Sequence, residues 1–267
     1  MRIVTSAATA ALVLCSAATA RAQWNSNYHT SPRDATVDAS GARSVTVRAE
    51  AGSLRITGRA GISQVRVTGT ARASREGDLA DIKLTARREG DVVLVQVDIP
   101  DADWNGGDNR YRGLDLVIEV PATLPLDVED GSGEAVIRGV GSLTMEDGSG
   151  ELEIADIGGS VDVNDGSGEL RIVGVRGDVR VRDGSGEITV RDVTGSLVVE
   201  DDGSGEITAE NVRGMVRVRD DGSGSIRVAD VGGDFVVDND GSGSISHDNV
   251  RGAVRIPATT RRHGRDR

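Results

Sequence analysis

Apolar and polar residues alternate along most of this chain in short runs. The first runs carry Val45 and Val47, Leu54 and Ile56, then Val65 and Val67, parted by Ala-Gly turns; longer ones run from Ile82 to Arg88, Val92 to Ile99 and Leu114 to Val120. A period of two is that of a β-strand with one face turned inward. No stretch after the first residues shows a sustained helical period. From Leu126 the alternation becomes a repeat: Asp-Gly-Ser-Gly begins at Asp130, Asp147, Asp165, Asp183, Asp202, Asp221 and Asp240, at intervals of 17, 18, 18, 19, 19 and 19 residues. Such a period is too short for a helix pair, a propeller blade or a βαβ unit, and it fits two short strands with two turns. The pattern predicts an all-β chain, a single-stranded right-handed parallel β-helix, or β-solenoid, of about 18–19 residues per coil.

The repeat also predicts which residues face the core. In the first strand of each coil the inward pairs are Leu143/Met145, Val161/Val163, Val179/Val181, Leu197/Val199, Val216/Val218, Phe235/Val237 and Val254/Ile256. In the second they are Leu152/Ile154, Leu170/Ile172, Ile188/Val190, Ile207/Ala209 and Ile226/Val228. One coil buries almost nothing, so stability must come from stacking coils about 4.8 Å apart. On the outer face Arg182, Glu200, Arg219 and Asp238 are expected one above another as a charge ladder. Pro257, which lacks an amide donor, follows the last strand and is expected to blunt that edge.

The two ends divide the chain further. Residues 1–22 have the form of a secretory signal peptide: Arg2, an apolar stretch from Ala7 to Ala18 and the small-residue site Ala20-Arg21-Ala22. Cys15 lies inside it, and the bulky Leu14 before it argues against a lipid-anchored terminus. Residues 23–43 read as a polar N-terminal linker, 44–257 as the solenoid, and 258–267 as a basic disordered tail. An exported chain with no cysteine after the leader must hold together by packing and hydrogen bonds alone. No later segment is long and apolar enough to span a bilayer as a helix. The net charge of -12 disfavours nucleic acid as a partner. Only Phe235, two Trp and two Tyr are present, too few for the aromatic shelves on which sugars or bases usually stack.

Chemistry-bearing positions are sparse. Each Asp-Gly-Ser-Gly turn, with a following Glu134, Glu151, Glu169, Glu187 or Glu206, places carboxylates in a column along one edge. One reading is a row of calcium ions, as in calcium β-rolls. Those rolls carry the acid after the glycines in both halves of each coil, whereas here it comes before them and in one turn only. The preferred reading is that each Asp accepts bonds from the Ser and Gly amides of its own turn. The loop Asp101-Ala-Asp103-Trp-Asn105-Gly106 matches the opening of an EF-hand calcium loop, so Asp101, Asp103 and Asn105 are calcium candidates, but Arg112 stands where a bidentate Glu is needed. Trp104, Arg110 and Tyr111 make the same loop the first candidate for a binding surface. His247 occupies an inward position in the last full coil and reads as an end-cap residue. No G-x-S-x-G elbow, Walker loop, G-x-G-x-x-G fingerprint or H-E-x-x-H is present, so no catalytic residue and no cofactor is expected.

The run Leu116-Val-Ile-Glu-Val-Pro121-Ala-Thr-Leu-Pro-Leu-Asp-Val-Glu-Asp-Gly-Ser-Gly-Glu134, followed by repeated Gly-Ser-Gly-Glu segments, resembles the bacterial putative-adhesin family, over roughly residues 45–256. The resemblance implies an exported β-helix domain, periplasmic, at the outer surface or extracellular, with no catalytic residues to carry over. The expectation is a non-catalytic interaction protein, probing a protein or glycan partner as a monomer. The alternatives are a calcium-stabilised structural roll and, below that, a carbohydrate-active β-helix enzyme.

Overall fold

A computed structural model describes residues 28–100 and 110–257; the proposed leader and basic tail, and the centre of the loop at residues 101–109, lie outside them. Seven strands form the N-terminal third: β1 (His29–Asp38), β2 (Ser44–Arg48), β3 (Leu54–Arg59), β4 (Gln64–Ala73), β5 (Lys83–Glu89), β6 (Val92–Asp98) and β7 (Arg112–Pro121). A 3-10 turn over Glu76–Ala80 links β4 to β5. Seven repeats follow. Their first strands are β8 (Leu126–Asp130), β10 (Leu143–Asp147), β12 (Val161–Asp165), β14 (Val179–Asp183), β16 (Leu197–Asp202), β18 (Val216–Asp221) and β20 (Phe235–Asp240). The second strands are β9 (Gly133–Arg138), β11 (Gly150–Ile157), β13 (Gly168–Val175), β15 (Gly186–Val193), β17 (Gly205–Val212), β19 (Gly224–Val231) and β21 (Gly243–Val250), and the short β22 (Val254–Arg255) closes the series.

The strands build two sheets of 11 strands each, one holding every first strand of a coil and the other every second strand. From Leu126 onward all pairing is parallel and equivalent residues stack: Leu143 lies beside Val161, and Leu152 beside Leu170. The solenoid is therefore present, with the inward residues at the predicted positions. Leu152, Ile154, Leu170, Ile172, Val181, Val199 and Val218 are all fully buried between the two sheets.

The N-terminal third departs from the simple coil. Here β1 pairs antiparallel with β4, β4 antiparallel with β7, and β5 antiparallel with β6. The segment read as a linker, 23–43, contains a ten-residue strand over His29–Asp38 that forms one outer edge of its sheet. Its alternation Ala35, Val37 is short and its inward side only partly apolar, which hid it in the sequence. Pro32 is tolerated because an edge strand leaves one side of its backbone unpaired. The other end is barer than Pro257 alone suggested: Val254 and Ile256 are 37% and 43% exposed, and no described residue covers them.

A third inward column escaped the sequence pattern: Ile157, Val175, Val193, Val212 and Val231, each no more than 1% exposed. These residues lie three positions after Ile154 and its equivalents, out of phase with a period of two. The residue between makes up the difference by taking a left-handed backbone conformation, at Asp156, Gly174, Asp192, Asn211, Asp230 and Asn249, with φ from 48° to 75°. Gly, Asn and Asp are the residues that adopt it most readily.

The expected charge ladder holds from Glu200 to Asp238 and is displaced only at Arg182. Each coil from β16 on carries an extra residue before the repeat's Asp, and a bulge after Val181 aligns Arg182 with Asp201. Glu200 pairs with Arg219 (2.8 Å) as expected and also reaches Arg180 (3.1 Å), while Asp238 pairs with Arg217 (2.7 Å). Such exposed pairs are worth about 0–1 kcal/mol each.

The second glycine of each Asp-Gly-Ser-Gly turn cannot be replaced. Its φ lies between 135° and 156°, and a Cβ there would sit 1.4 to 2.0 Å from the carbonyl oxygen of its counterpart in the preceding coil. Gly186→Ala is therefore expected to cost at least about 2 kcal/mol, lowering the melting temperature by about 4–8 °C. Gly77→Ala, where nothing lies within 4 Å, should stay within about 0.5 kcal/mol of the parent. Equal melting temperatures for the two variants would contradict backbone-limited stacking.

Candidate functional site

Two places hold polar groups that the fold does not itself explain. The first is the base of the loop between β6 and β7. Tyr111, just before β7, makes two hydrogen bonds with Ser74, just after β4: its amide donates to Ser74 Oγ and its carbonyl accepts from the Ser74 amide, both at 3.0 Å. The ring turns back over Gly113, where a Cβ would meet its hydroxyl at 2.5 Å. There it packs on Tyr28, with ring centroids 4.9 Å apart and planes inclined by 41°. Burial raises the Tyr111 hydroxyl above its usual pKa, helped by the nearby Asp115 carboxylate. Both rings remain well exposed, whereas Phe235, the other described aromatic residue besides these two, is fully buried.

Next in sequence, Arg112 reaches Asp78 of the 3-10 turn at 3.3 Å and donates to the Pro100 carbonyl at 3.1 Å. Their side chains are only 12% and 13% exposed. The ion pair thus ties both ends of the loop to the turn. Of the candidates from the sequence, Tyr111 and Arg110 lie at this base, with Tyr28 joining them unforeseen. Asp101, Asp103, Trp104 and Asn105 lie outside the described residues. Tyr28 falls in the segment read as linker, and nothing in its immediate sequence links it to a residue 83 positions away.

The second place is the aspartate column. The sequence reading put these residues at an edge, but Asp130, Asp147, Asp165, Asp183, Asp202 and Asp221 are 0–6% exposed. The reason is the period of two: Asp147 follows Leu143 and Met145 at the next inward position. Where β16, β18 and β20 carry the extra residue, the bulge absorbs it, so that Asp183, Asp202, Asp221 and Asp240 stay in register. Self-capping occurs at two turns, where the Ser167 and Ser185 amides donate to Asp165 Oδ1 and Asp183 Oδ1 at 3.2 Å. The Gly amides are used otherwise: from Gly148 on, the first glycine of each turn donates to the Asp carbonyl of the preceding coil, as from Gly148 to Asp130 at 3.0 Å. Both carboxyl oxygens of Asp130, Asp147, Asp202 and Asp221 are left buried without a hydrogen-bond partner.

This setting shifts the carboxyls strongly. Burial raises Asp130, Asp183 and Asp221 to about 6, with neighbouring carboxyls adding to the effect at Asp183 and Asp221. Asp147 and Asp202 rise to about 7, again through burial first and then through the like charges above and below. Asp165 is also raised by burial, against the opposing pull of the Ser167 amide. Among the described residues, no three His, Cys, Asp or Glu groups converge where an ion could be held.

Ser246, His247 and Asp248 lie in succession beside a surface depression of about 300 Å³. Alternation separates them: His247 stacks on the inward Val228 and meets the Phe235 ring edge-on at 6.1 Å, so its neighbours face the other way. Ser246 Oγ is directed to the Ile226 carbonyl at 3.4 Å. The three do not form a hydrolytic triad. No described helix is long and apolar enough to cross a membrane.

No family model and no curated protein matches the chain. Solved structures similar to it include a putative cell adhesion protein from Clostridium sporogenes, at 12% identity and TM-score 0.32, covering 85% of this chain and 100% of that one. A putative adhesin from Bacteroides fragilis matches at 14% identity and TM-score 0.29, covering 85% and 96%. A putative lipid binding protein from Parabacteroides distasonis matches at 15% and 0.40, covering 85% and 97%.

Arg112→Ala would leave Asp78 buried and unpaired. Chemical denaturation should show a loss of about 2–4 kcal/mol, which the double variant Arg112→Met/Asp78→Leu recovers in large part. A single variant as stable as the parent would show that the pair does not anchor the loop.

Proposed function

We propose that this chain is a non-catalytic, exported interaction protein of the cell envelope or surface, binding a protein or glycan through the end of the solenoid that carries Tyr28 and Tyr111. The observation that carries the reading is the aromatic pair. In a chain nearly devoid of aromatic residues, the two exposed ones described are brought together from distant segments, with Arg110 and the ion-paired Arg112 flanking Tyr111 in sequence. Exposed tyrosines held in a fixed pose supply contact area at low entropic cost, and a sugar ring or apolar side chain packs readily against them. The stacked coils then act as a rigid stalk that presents this end.

A second reading, a calcium-stabilised roll, is favoured by the unpartnered oxygens of the aspartate column. A carbohydrate-active enzyme finds less support, since no described cleft pairs carboxyls across an aromatic-lined groove.

The test is a screen of the purified full chain, leader removed, against immobilised glycans and surface-protein fragments, followed by titration of any binder. Tyr28→Ala/Tyr111→Ala should weaken binding at least about tenfold, a loss of about 1.4 kcal/mol or more. Thr144→Ala, on the outer face of β10, should leave it unchanged. A binder indifferent to the tyrosines, or a screen without any binder, would overturn the proposal.

A further inference from the structure

The fold keeps two polar columns, and they treat charge in opposite ways. The left-handed column reads Gly139, Asp156, Gly174, Asp192, Asn211, Asp230 and Asn249 from coil to coil. No aspartate there stands next to another; Asn211 Nδ2 donates to Asp192 Oδ1 at 2.5 Å, and Asn249 donates likewise to Asp230. That column is exposed, yet its like charges are spaced by neutral residues. The interior column is Asp in every coil, at the strand spacing of about 4.8 Å, where repulsion is less screened. Its members stay in register even where an extra residue must be bulged out to keep them there. Fully charged carboxylates in that arrangement would each be unfavourable, so something neutralises them.

Among the described residues, no cation acts on the column. The groups acting on the column are its own members, joined by Asp201 beside Asp202, Asp220 beside Asp221, and Asp240 at the far end. Of the outward residues just before the column, Glu129 pairs with Arg48, Arg182 with Asp162 and Arg219 with Glu200, so these arginines are engaged on the outer face; Glu146 lies there too. On the adjoining strands, Glu134 pairs with Arg55 and Glu206 with Arg227, while Glu187 accepts from Thr189; Glu151 and Glu169 stack in the same column. Glu50, beside the first turn, adds a further carboxyl.

We propose that the aspartate column is a proton-binding device, whose stacked buried carboxyls are neutralised in part by protons, so that the solenoid takes up protons as it folds and is most stable in mildly acidic surroundings. In the unfolded chain these groups titrate near 3.9; in the folded chain several do so at about 6 to 7. Between those values the folded state holds more protons than the unfolded one, so stability falls as pH rises. The contribution is fully present below about pH 4, is lost as pH rises through 6 and 7, and is flat above.

The experiment is urea unfolding of the full chain, leader removed, from about pH 4.5 to 8.5 in the presence of a chelator, with Asp202→Asn and, near the column's end, Asp130→Asn. The parent's midpoint should fall steadily with rising pH. Each Asn variant, neutral and of the same shape, should show a shallower fall and exceed the parent at pH 8.5. A parent midpoint that is level or rises with pH overturns the proposal even if a variant fails to fold. So does a midpoint at pH 8.5 that millimolar calcium restores to its acidic value, since the column would then be neutralised by cations.

Discussion

Parallel stacking in register is the constraint on which everything else in this protein depends. Because each coil lies on the one before it, every residue meets its own counterpart, and one choice is repeated along the whole stack. For Val, Ile and Leu the consequence is a continuous thin core from coils that bury almost nothing alone. For glycine it is a backbone approach so close that a Cβ would collide with the preceding coil's carbonyl. For aspartate it is a row of like charges in the interior.

That rule also explains what was legible in the sequence. Repeat length, strand order within a coil and the inward pairs follow from alternation, and Leu143/Met145 or Leu152/Ile154 need no further information. The column of Ile157 and Val175 was hidden because a single left-handed residue changes the phase, and only the backbone shows it. The burial of Asp147 was legible in principle, since it continues the count from Leu143 and Met145; the familiarity of Asp-Gly as a turn signal outweighed the period. The strand over His29–Asp38 and the contact of Tyr28 with Tyr111 depend on antiparallel pairing between distant segments, for which the repeat gives no rule.

The molecule thus divides its work between a regular part and an irregular end. The coils supply a regular stack with the same backbone and the same inward residues from one coil to the next. The N-terminal third breaks the parallel pattern, closes one end of the sheets with antiparallel strands, and brings two exposed tyrosines together. It is on this irregular end, where the repeat stops, that the proposed binding function rests.

The central claim is that identical stacking buries the repeat aspartates and obliges them to share protons. Carbon-detected NMR of the aspartate carboxyls, followed from about pH 3 to 9, tests it directly. The account predicts a distinct set of aspartate carboxyls that stays protonated until about pH 6 to 7. If every aspartate carboxyl is ionised by about pH 5, with none titrating later, the column is not neutralised by protons and the account is wrong.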